Sequence, residues 1–127
     1  MMVYCGKCEH CERGETNLCH HRQVMGVSCQ EFKRDGAFAE WVVVRSLILE
    51  RIPEGMGFEE AAFTEPLAVA LHAVKLAKVK KGERALVVGS GLIGLLVIQA
   101  LKRAGAGEVV AVDMDRKRLD LALKLGA

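Results

Sequence analysis

A glycine-rich stretch from Arg84 to Asp113 constrains the fold more than any other part of this sequence. The apolar residues 85–88 predict a buried strand, and three glycines follow at G-x-G-x-x-G spacing, where the pattern becomes helical. Gly89 allows a tight turn, Gly91 lets a diphosphate approach the backbone, and Gly94 brings the helix against the strand. Free amides at the start of the helix attract phosphate oxygens. The stretch therefore predicts a nucleotide-binding β-α-β unit.

A second apolar run, residues 109–112, ends in Asp113 about 20 residues after the last glycine, where a carboxylate accepts hydrogen bonds from the ribose hydroxyls of NAD. Arg118 is near enough to Asp113 to lie over a bound adenine. Asp115 is predicted to cap a last helix over residues 116–125. Two other interpretations of the glycine stretch are a packing corner and a membrane segment. The uncharged run around the glycines is short for a membrane span.

Four cysteines near the start, Cys5, Cys8, Cys11 and Cys19, form the pattern C-x2-C-x2-C-x7-C. Thiolates this close repel one another unless a cation holds them, and tetrahedral zinc accepts four sulfurs with no open position. The pattern predicts a structural zinc that orders a lobe lacking an apolar core. An iron–sulfur cluster, a disulfide and a metal-free cluster are the alternatives. Cys29 lies outside the pattern and is interpreted as a small apolar core residue.

Strand signals follow the cysteines. Asp35-Gly36 is a turn dipeptide, residues 38–44 are aromatic and β-branched, and residues 47–52 are a further candidate strand. These strands are typical of the end of an all-β unit and are too few to close a barrel.

Residues 58–79 have a helical pattern with a break near Thr64, and Pro66 suits a first turn. Glu65 stands at the start of a mostly apolar helix, either as a cap or as a functional carboxylate. His72 is interpreted as a helix-face residue without a ligand function. The remaining histidines, which have no ligand spacing, are interpreted as solvated surface: His10, His20 and His21.

A net charge of +2 over 127 residues is too balanced to favour nucleic acid or an anionic membrane as a partner. The N-terminal residues lack the apolar core of a signal peptide, so the cytoplasm is the expected compartment. Five cysteines without an export signal favour metal binding over a disulfide framework. Residues 1–57 are predicted to form a zinc lobe with a β-unit, and residues 58–127 an α/β domain.

Four segments stand in a recognisable order: the cysteine quartet, DGAFAEW at 35–41, EPLAVALHAV at 65–74 and VGSGLIG at 88–94. In this order they resemble the zinc-dependent medium-chain alcohol dehydrogenases, and most closely the sorbitol and threonine dehydrogenase branch. The resemblance implies part of a GroES-like β-unit with a structural zinc lobe, followed by the first half of a Rossmann domain. It also implies hydride transfer between a secondary alcohol or polyol and NAD(P), with a catalytic zinc as Lewis acid.

The resemblance assigns roles to particular residues. The four cysteines match the structural zinc ligands, and Glu65 matches the acidic residue that binds the catalytic zinc or contacts its water. Asp113 and Arg118 match positions that contact the adenosine. A carboxylate at Asp113 favours NAD over NADP, although Arg116 and Lys117 weaken that preference. The residues that match the diphosphate-binding turn are Gly89, Gly91, Leu92, Ile93 and Gly94.

The chain departs from the family in one respect. A cysteine and a histidine in a G-H-E setting, which complete the catalytic zinc site in the family, are expected upstream of the quartet, and no His-Glu dipeptide occurs here. We therefore expect a fragment that is inactive alone and that associates with itself as a homo-oligomer or with missing segments. One alternative is a non-catalytic zinc-stabilised nucleotide-binding module. A second is a zinc-ribbon nucleic-acid binder, which the low aromatic content and near-neutral charge oppose. A third is a relative of the zinc-free quinone reductases, which the cysteine quartet opposes.

Overall fold

The computed structural model describes residues 2–27 and 29–127, and the chain divides into two compact units after Arg51. The division lies six residues before the boundary predicted at 57/58. Strands and helices both occur, so the predicted α/β class is confirmed.

The first unit contains a small three-stranded sheet. Its strands are β1 (Met2–Val3), β2 (Gln23–Met25) and β3 (Lys33–Arg34). Strand β2 is central, with β1 antiparallel and β3 parallel to it. A one-turn helix, α1 (Glu9–Glu12), and a 3₁₀ turn (Thr16–Leu18) lie between β1 and β2. The connection that carries the four cysteines is therefore folded back between two neighbouring strands.

The strands predicted at 38–44 and 47–52 are wrong for this structure. Residues 38–45 have no regular secondary structure, and Ser46–Ile48 is a 3₁₀ turn. Phe38 and Trp41 are almost fully exposed. A strand needs a neighbour to accept and donate its backbone hydrogen bonds, and no described segment pairs with these residues. The aromatic and β-branched pattern of these residues does not show whether a neighbouring strand is present.

The prediction that Cys29 is a core residue is also wrong, because its side chain is exposed. Cys29 precedes the 3₁₀ turn Gln30–Phe32, in a connection whose other residues are mostly exposed. This connection has no apolar layer in which a small thiol could be buried.

The second unit begins with the helices α2 (Phe58–Ala62) and α3 (Thr64–Ala77), with the break at Phe63. The predicted break near Thr64 is confirmed. A β-α-β-α sequence follows, with the bounds β4 Ala85–Val88, α4 Leu92–Arg103, β5 Val109–Val112 and α5 Arg116–Lys124. Strands β4 and β5 are parallel, with Ala85 opposite Val109 and Val88 opposite Val112. Both strands have the predicted bounds.

The start of α5 is capped as predicted, since the Asp115 carboxylate accepts a hydrogen bond from the Lys117 amide at 2.8 Å. This satisfies one of the free amides of the first helical turn and fixes where the chain leaves β5.

The core of the second unit lies between the sheet and helices α4 and α5. Its buried residues include Val87, Ile98, Leu101, Val109 and Ala122. On the alternate positions of β4 and β5 the apolar side chains are exposed, and these are Leu86, Val88, Val110 and Val112. One surface of the sheet is thus covered by helices, while the other is apolar and open. Within the described residues, no helix is both long and apolar enough to span a bilayer.

Candidate functional site

The four cysteines of the quartet lie at the ends of short elements. Cys5 follows β1, Cys8 caps the start of α1, Cys11 lies inside α1, and Cys19 ends the 3₁₀ turn. One helical turn places Cys8 and Cys11 on the same side, since residues three apart are neighbours on a helix. The two turns therefore direct all four thiols to one point.

The four sulfurs lie within 4.8 Å of one another. The Cys8 and Cys11 Sγ atoms are 3.6 Å apart, and those of Cys5 and Cys11 are 3.9 Å apart. Zinc at about 2.3 Å from four tetrahedral sulfurs would hold them roughly 3.8 Å apart. A disulfide needs about 2.05 Å. The spacing fits a tetrahedral ion and does not fit paired disulfides.

Backbone amides surround these sulfurs. The Cys5 amide donates to Cys19 Sγ at 3.4 Å, and the Lys7 amide donates to Cys5 Sγ at 3.5 Å. Hydrogen bonds from the backbone N–H groups of Cys11 and His20 lower the pKa of the Cys8 thiol to about 6. Burial raises the pKa of the Cys11 thiol to about 11. Without a cation, Cys8 is therefore mostly a thiolate at neutral pH, whereas Cys11 remains a neutral thiol. A cation bound among the sulfurs would favour the thiolate form of both.

Cys19 is the one buried residue among the described residues of the first unit. A lobe with so little buried apolar surface gains little from the hydrophobic effect. Metal binding can supply the missing folding free energy, because a preformed ligand set does not exist in the unfolded chain.

The glycine turn between β4 and α4 has the backbone geometry that its spacing predicts. Gly89 has φ +95°, and its amide donates to the Val112 carbonyl at 2.7 Å. A Cβ at Gly94 would overlap the Gly89 carbonyl oxygen, whereas a Cβ at Gly91 would meet no atom within 4 Å. Gly94 therefore permits close packing, and Gly91 borders open space at the start of α4.

Asp113 is joined to this turn by hydrogen bonds. Its Oδ2 accepts from the Ser90 amide at 2.6 Å, and its Oδ1 accepts from the Asp115 amide at 2.8 Å. Arg118 Nη1 lies 3.9 Å from Oδ2. The Asp115 and Ser90 amides, helped by the Arg118 charge, hold the pKa of Asp113 below its usual range. The carboxylate is thus charged and fixed beside the turn.

Sequence reasoning did not single out Ser90, which is fully buried and whose amide makes the link to Asp113. Its hydroxyl has no partner among the described residues. The signal for Ser90 in the sequence was its position between the first two glycines of the turn. Leu92 and Ile93, the first residues of α4, keep partly exposed side chains next to the turn.

Glu65 lies in the first turn of α3 and is exposed. Within residues 2–27 and 29–127, it belongs to no group of three or more side chains close enough to share a metal ion. His72, on the same helix, is also exposed, in agreement with its interpretation as a helix-face residue.

A second cluster of possible metal ligands was missed. Glu9, His10 and His20 have ligand atoms within 4.8 Å of one another. Their positions gave a signal: Glu9 and His10 lie between Cys8 and Cys11, and His20 follows Cys19. The fold that brings the four sulfurs together also brings these three neighbouring side chains together.

The chain is similar to known dehydrogenases in sequence. Residues 1–54 match the family model described as the alcohol dehydrogenase GroES-like domain. Sorbitol dehydrogenase of Bacillus subtilis is 36% identical over 125 residues, covering 98% of this chain and 34% of its own length. L-threonine 3-dehydrogenase of Bacillus licheniformis is 38% identical over 125 residues, again 98% of this chain and 34% of the relative.

The solved structure of galactitol-1-phosphate dehydrogenase from Escherichia coli superposes with a TM-score of 0.84 at 36% identity. The match covers 99% of this chain and 35% of that one. The chain therefore spans about a third of the length of the relatives that it matches. Both units lie within matches to one kind of enzyme, so the similarity to the zinc-type medium-chain alcohol dehydrogenases extends over nearly the whole chain.

Proposed function

We propose that this chain carries the structural zinc and the NAD-binding turn of a dehydrogenase that transfers hydride between a secondary alcohol or polyol and NAD. The observation that carries the proposal is the 2.6 Å hydrogen bond from the Ser90 amide to Asp113. It holds a carboxylate beside the open end of a glycine turn, which is the arrangement that recognises a dinucleotide.

In this proposal the first unit holds zinc through Cys5, Cys8, Cys11 and Cys19. Four sulfur ligands leave no open position, so this ion is structural. Its role is to order a lobe in which Cys19 is the one buried residue among those described.

The second unit would bind NAD at the start of α4. Free amides of the first helical turn and the open space at Gly91 suit the diphosphate. Leu92 and Ile93 would border the cofactor, and Asp113 would accept hydrogen bonds from the ribose hydroxyls. The Asp113 charge repels a 2′-phosphate, so NAD is favoured over NADP.

Arg116 and Arg118, the cations near Asp113, weaken the preference for NAD over NADP only in part. Arg116 Nε lies 3.2 Å from Asp120 Oδ1, and Arg118 lies within 4 Å of both Asp113 and Asp115. Both guanidinium groups already face carboxylates, which lowers the positive potential available to a 2′-phosphate. In this proposal Arg118 would lie over the adenine.

Glu65 is proposed as the carboxylate that binds a catalytic zinc or contacts its water. Such an ion would supply Lewis-acid polarisation of the alcohol oxygen. A catalytic zinc normally has three protein ligands. Since Glu65 shares no ligand group with other described residues, we expect the 127-residue chain to show no turnover by itself.

The isolation of Glu65 also favours a second candidate function, a zinc-stabilised nucleotide-binding module without catalysis. The two candidates share zinc and NAD binding and differ in whether Glu65 takes part in catalysis.

We propose a cytoplasmic location for either, because the quartet must stay reduced to hold zinc. The exposed β4/β5 surface is proposed to mediate association with itself or with other parts of the enzyme.

The test combines metal analysis, calorimetry with NAD and NADP, and turnover assays with a panel of secondary alcohols and polyols. We expect tightly held zinc, tighter binding of NAD than of NADP, and no turnover by the isolated chain. Absence of dinucleotide binding would contradict both candidates. Robust turnover would exclude the non-catalytic module. It would also contradict the expectation that Glu65 lacks the partners needed to hold a catalytic zinc.

A further inference from the structure

Three side chains beside the cysteine quartet form a compact cluster with no role in the proposed dehydrogenase function. Glu9 Oε1 lies 3.2 Å from His20 Nε2, and the His10 and His20 ring centroids are 4.9 Å apart. The ligand atoms of all three residues lie within 4.8 Å of one another. We propose that Glu9, His10 and His20 form a second binding site for a divalent transition-metal ion.

The distances suit a shared ion. Nitrogen and oxygen ligands about 2.0–2.2 Å from zinc lie roughly 2.8–3.6 Å from each other in octahedral or tetrahedral geometry. The 3.2 Å separation of Glu9 Oε1 and His20 Nε2 falls in this range. The His10 ligand atom lies within 4.8 Å of the other two, so the exposed Glu9 and His20 side chains would rotate to bring all three to one ion.

A carboxylate outside the cluster orients one of the ligands. His10 Nδ1 lies 2.9 Å from Glu15 Oε2, and the His10 side chain is 21% exposed. Arg13 Nη2 lies 3.0 Å from the same nitrogen and competes with Glu15 for it. In the tautomer whose Nδ1 donates its proton to Glu15, the Nε2 lone pair is free for a metal. The carboxylate–histidine–metal arrangement fixes the tautomer and the ring direction and is typical of metal-ligating histidines.

The donor set selects the class of ion. Two imidazole nitrogens and one carboxylate oxygen suit Zn²⁺, Ni²⁺ or Co²⁺, whereas Mg²⁺ and Ca²⁺ prefer all-oxygen sites. Three protein ligands leave positions open to water. The Glu9 and His20 side chains are 63% and 56% exposed, so the ion would exchange more readily than one held by the cysteines.

Arg13 opposes this ion. Its Nη1 lies 3.7 Å from Glu9 Oε2, and its Nη2 lies 3.1 Å from Glu15 Oε2. A guanidinium group beside the ligand carboxylate competes with a cation for Glu9 and adds like-charge repulsion. Removing the Arg13 charge should therefore strengthen metal binding, which is not expected if the cluster is only a set of surface ion pairs.

The test uses the full chain carrying zinc in its quartet, titrated with Ni²⁺ by calorimetry while released zinc is measured. We expect one Ni²⁺ per chain without zinc release, and paramagnetic broadening of the His10 and His20 ring signals in NMR spectra. His20→Gln should weaken Ni²⁺ binding by about tenfold or more. His21→Gln, a change at the adjacent exposed histidine, should leave it unchanged.

Arg13→Gln should tighten Ni²⁺ binding several-fold, a gain that impaired folding would not produce. Three results would overturn the proposal: no Ni²⁺ uptake, uptake matched by zinc release, or equal binding by the His20→Gln and His21→Gln variants. Unchanged or weaker binding by Arg13→Gln would contradict the placement of the ion at Glu9.

Discussion

The Ser90 amide donates a hydrogen bond to Asp113 Oδ2 at 2.6 Å, and this bond ties the glycine turn after β4 to the end of β5. The neighbouring bond from the Gly89 amide to the Val112 carbonyl continues the same connection between the strands. The carboxylate is therefore a fixed part of the turn and not a mobile surface group.

Asp113→Asn should weaken NAD binding by about tenfold or more, because ribose hydroxyls lose a charged acceptor. NADP binding should weaken less or improve, because the repulsion of the 2′-phosphate is removed. Calorimetry with both cofactors measures the two changes. Asp35→Asn is the matched control, since Asp35 is exposed and lies in the first unit, outside the proposed cofactor site. Equal losses for NAD and NADP would contradict the assignment of Asp113 to cofactor selection.

The contribution of Asp113 to stability should depend on pH. Its pKa is lowered by hydrogen bonds from the Asp115 and Ser90 amides and by the charge of Arg118. A carboxylate whose folded-state pKa is depressed stabilises the fold above its unfolded pKa of about 3.9, and this contribution is lost as pH falls through the folded value. The melting temperatures of the wild-type chain and Asp113→Asn should therefore differ at neutral pH and converge in strong acid. A constant difference would contradict the hydrogen-bonded carboxylate.

Gly91→Ala should mainly weaken NAD binding, whereas Gly94→Ala should mainly destabilise the fold. A Cβ at Gly94 would overlap the Gly89 carbonyl oxygen, so Gly94→Ala should lower the free energy of unfolding by about 2 kcal/mol. A Cβ at Gly91 meets open space, and its cost should stay near a capping effect of at most about 1 kcal/mol. Gly91→Ala should instead weaken NAD binding, because the methyl group occupies the approach of the diphosphate. Chemical denaturation and calorimetry separate the two effects. Undiminished NAD binding by Gly91→Ala would place the cofactor elsewhere.

Cys29 should be the thiol that reacts first with a colorimetric thiol reagent. It is exposed, whereas zinc would protect the sulfurs of the quartet. One fast equivalent is expected in the zinc-loaded chain, and five after a chelator removes the metal. Cys29→Ser should abolish the fast equivalent. Fast reaction of several thiols in the zinc-loaded chain would show that the quartet does not hold the ion.

The second unit was predictable because its signals are local. Strands at 85–88 and 109–112, the break near Thr64 and the cap at Asp115 follow from periodicity and capping chemistry. The strand predicted at 38–44 does not form, since strand formation depends on a partner distant in sequence, which the local pattern does not reveal. Residue type likewise did not reveal that Cys29 would be exposed.

The candidate sites divide in the same way. The convergence of the four sulfurs followed from cysteine spacing, because few arrangements satisfy so many thiols in a short segment. The approach of His10 to His20 could not be read from their own spacing. It is a consequence of the fold that the cysteines impose on the residues between them.

The most direct test of the account is the zinc content of the purified chain after dialysis against a weak chelator, compared with that of Cys19→Ser. We predict one retained zinc per wild-type chain and its loss from Cys19→Ser, with disordering of residues 2–51 in NMR spectra and little change in residues 52–127. A wild-type chain that retains no zinc while residues 2–51 stay folded would contradict the claim that the four cysteines order this lobe around a metal ion.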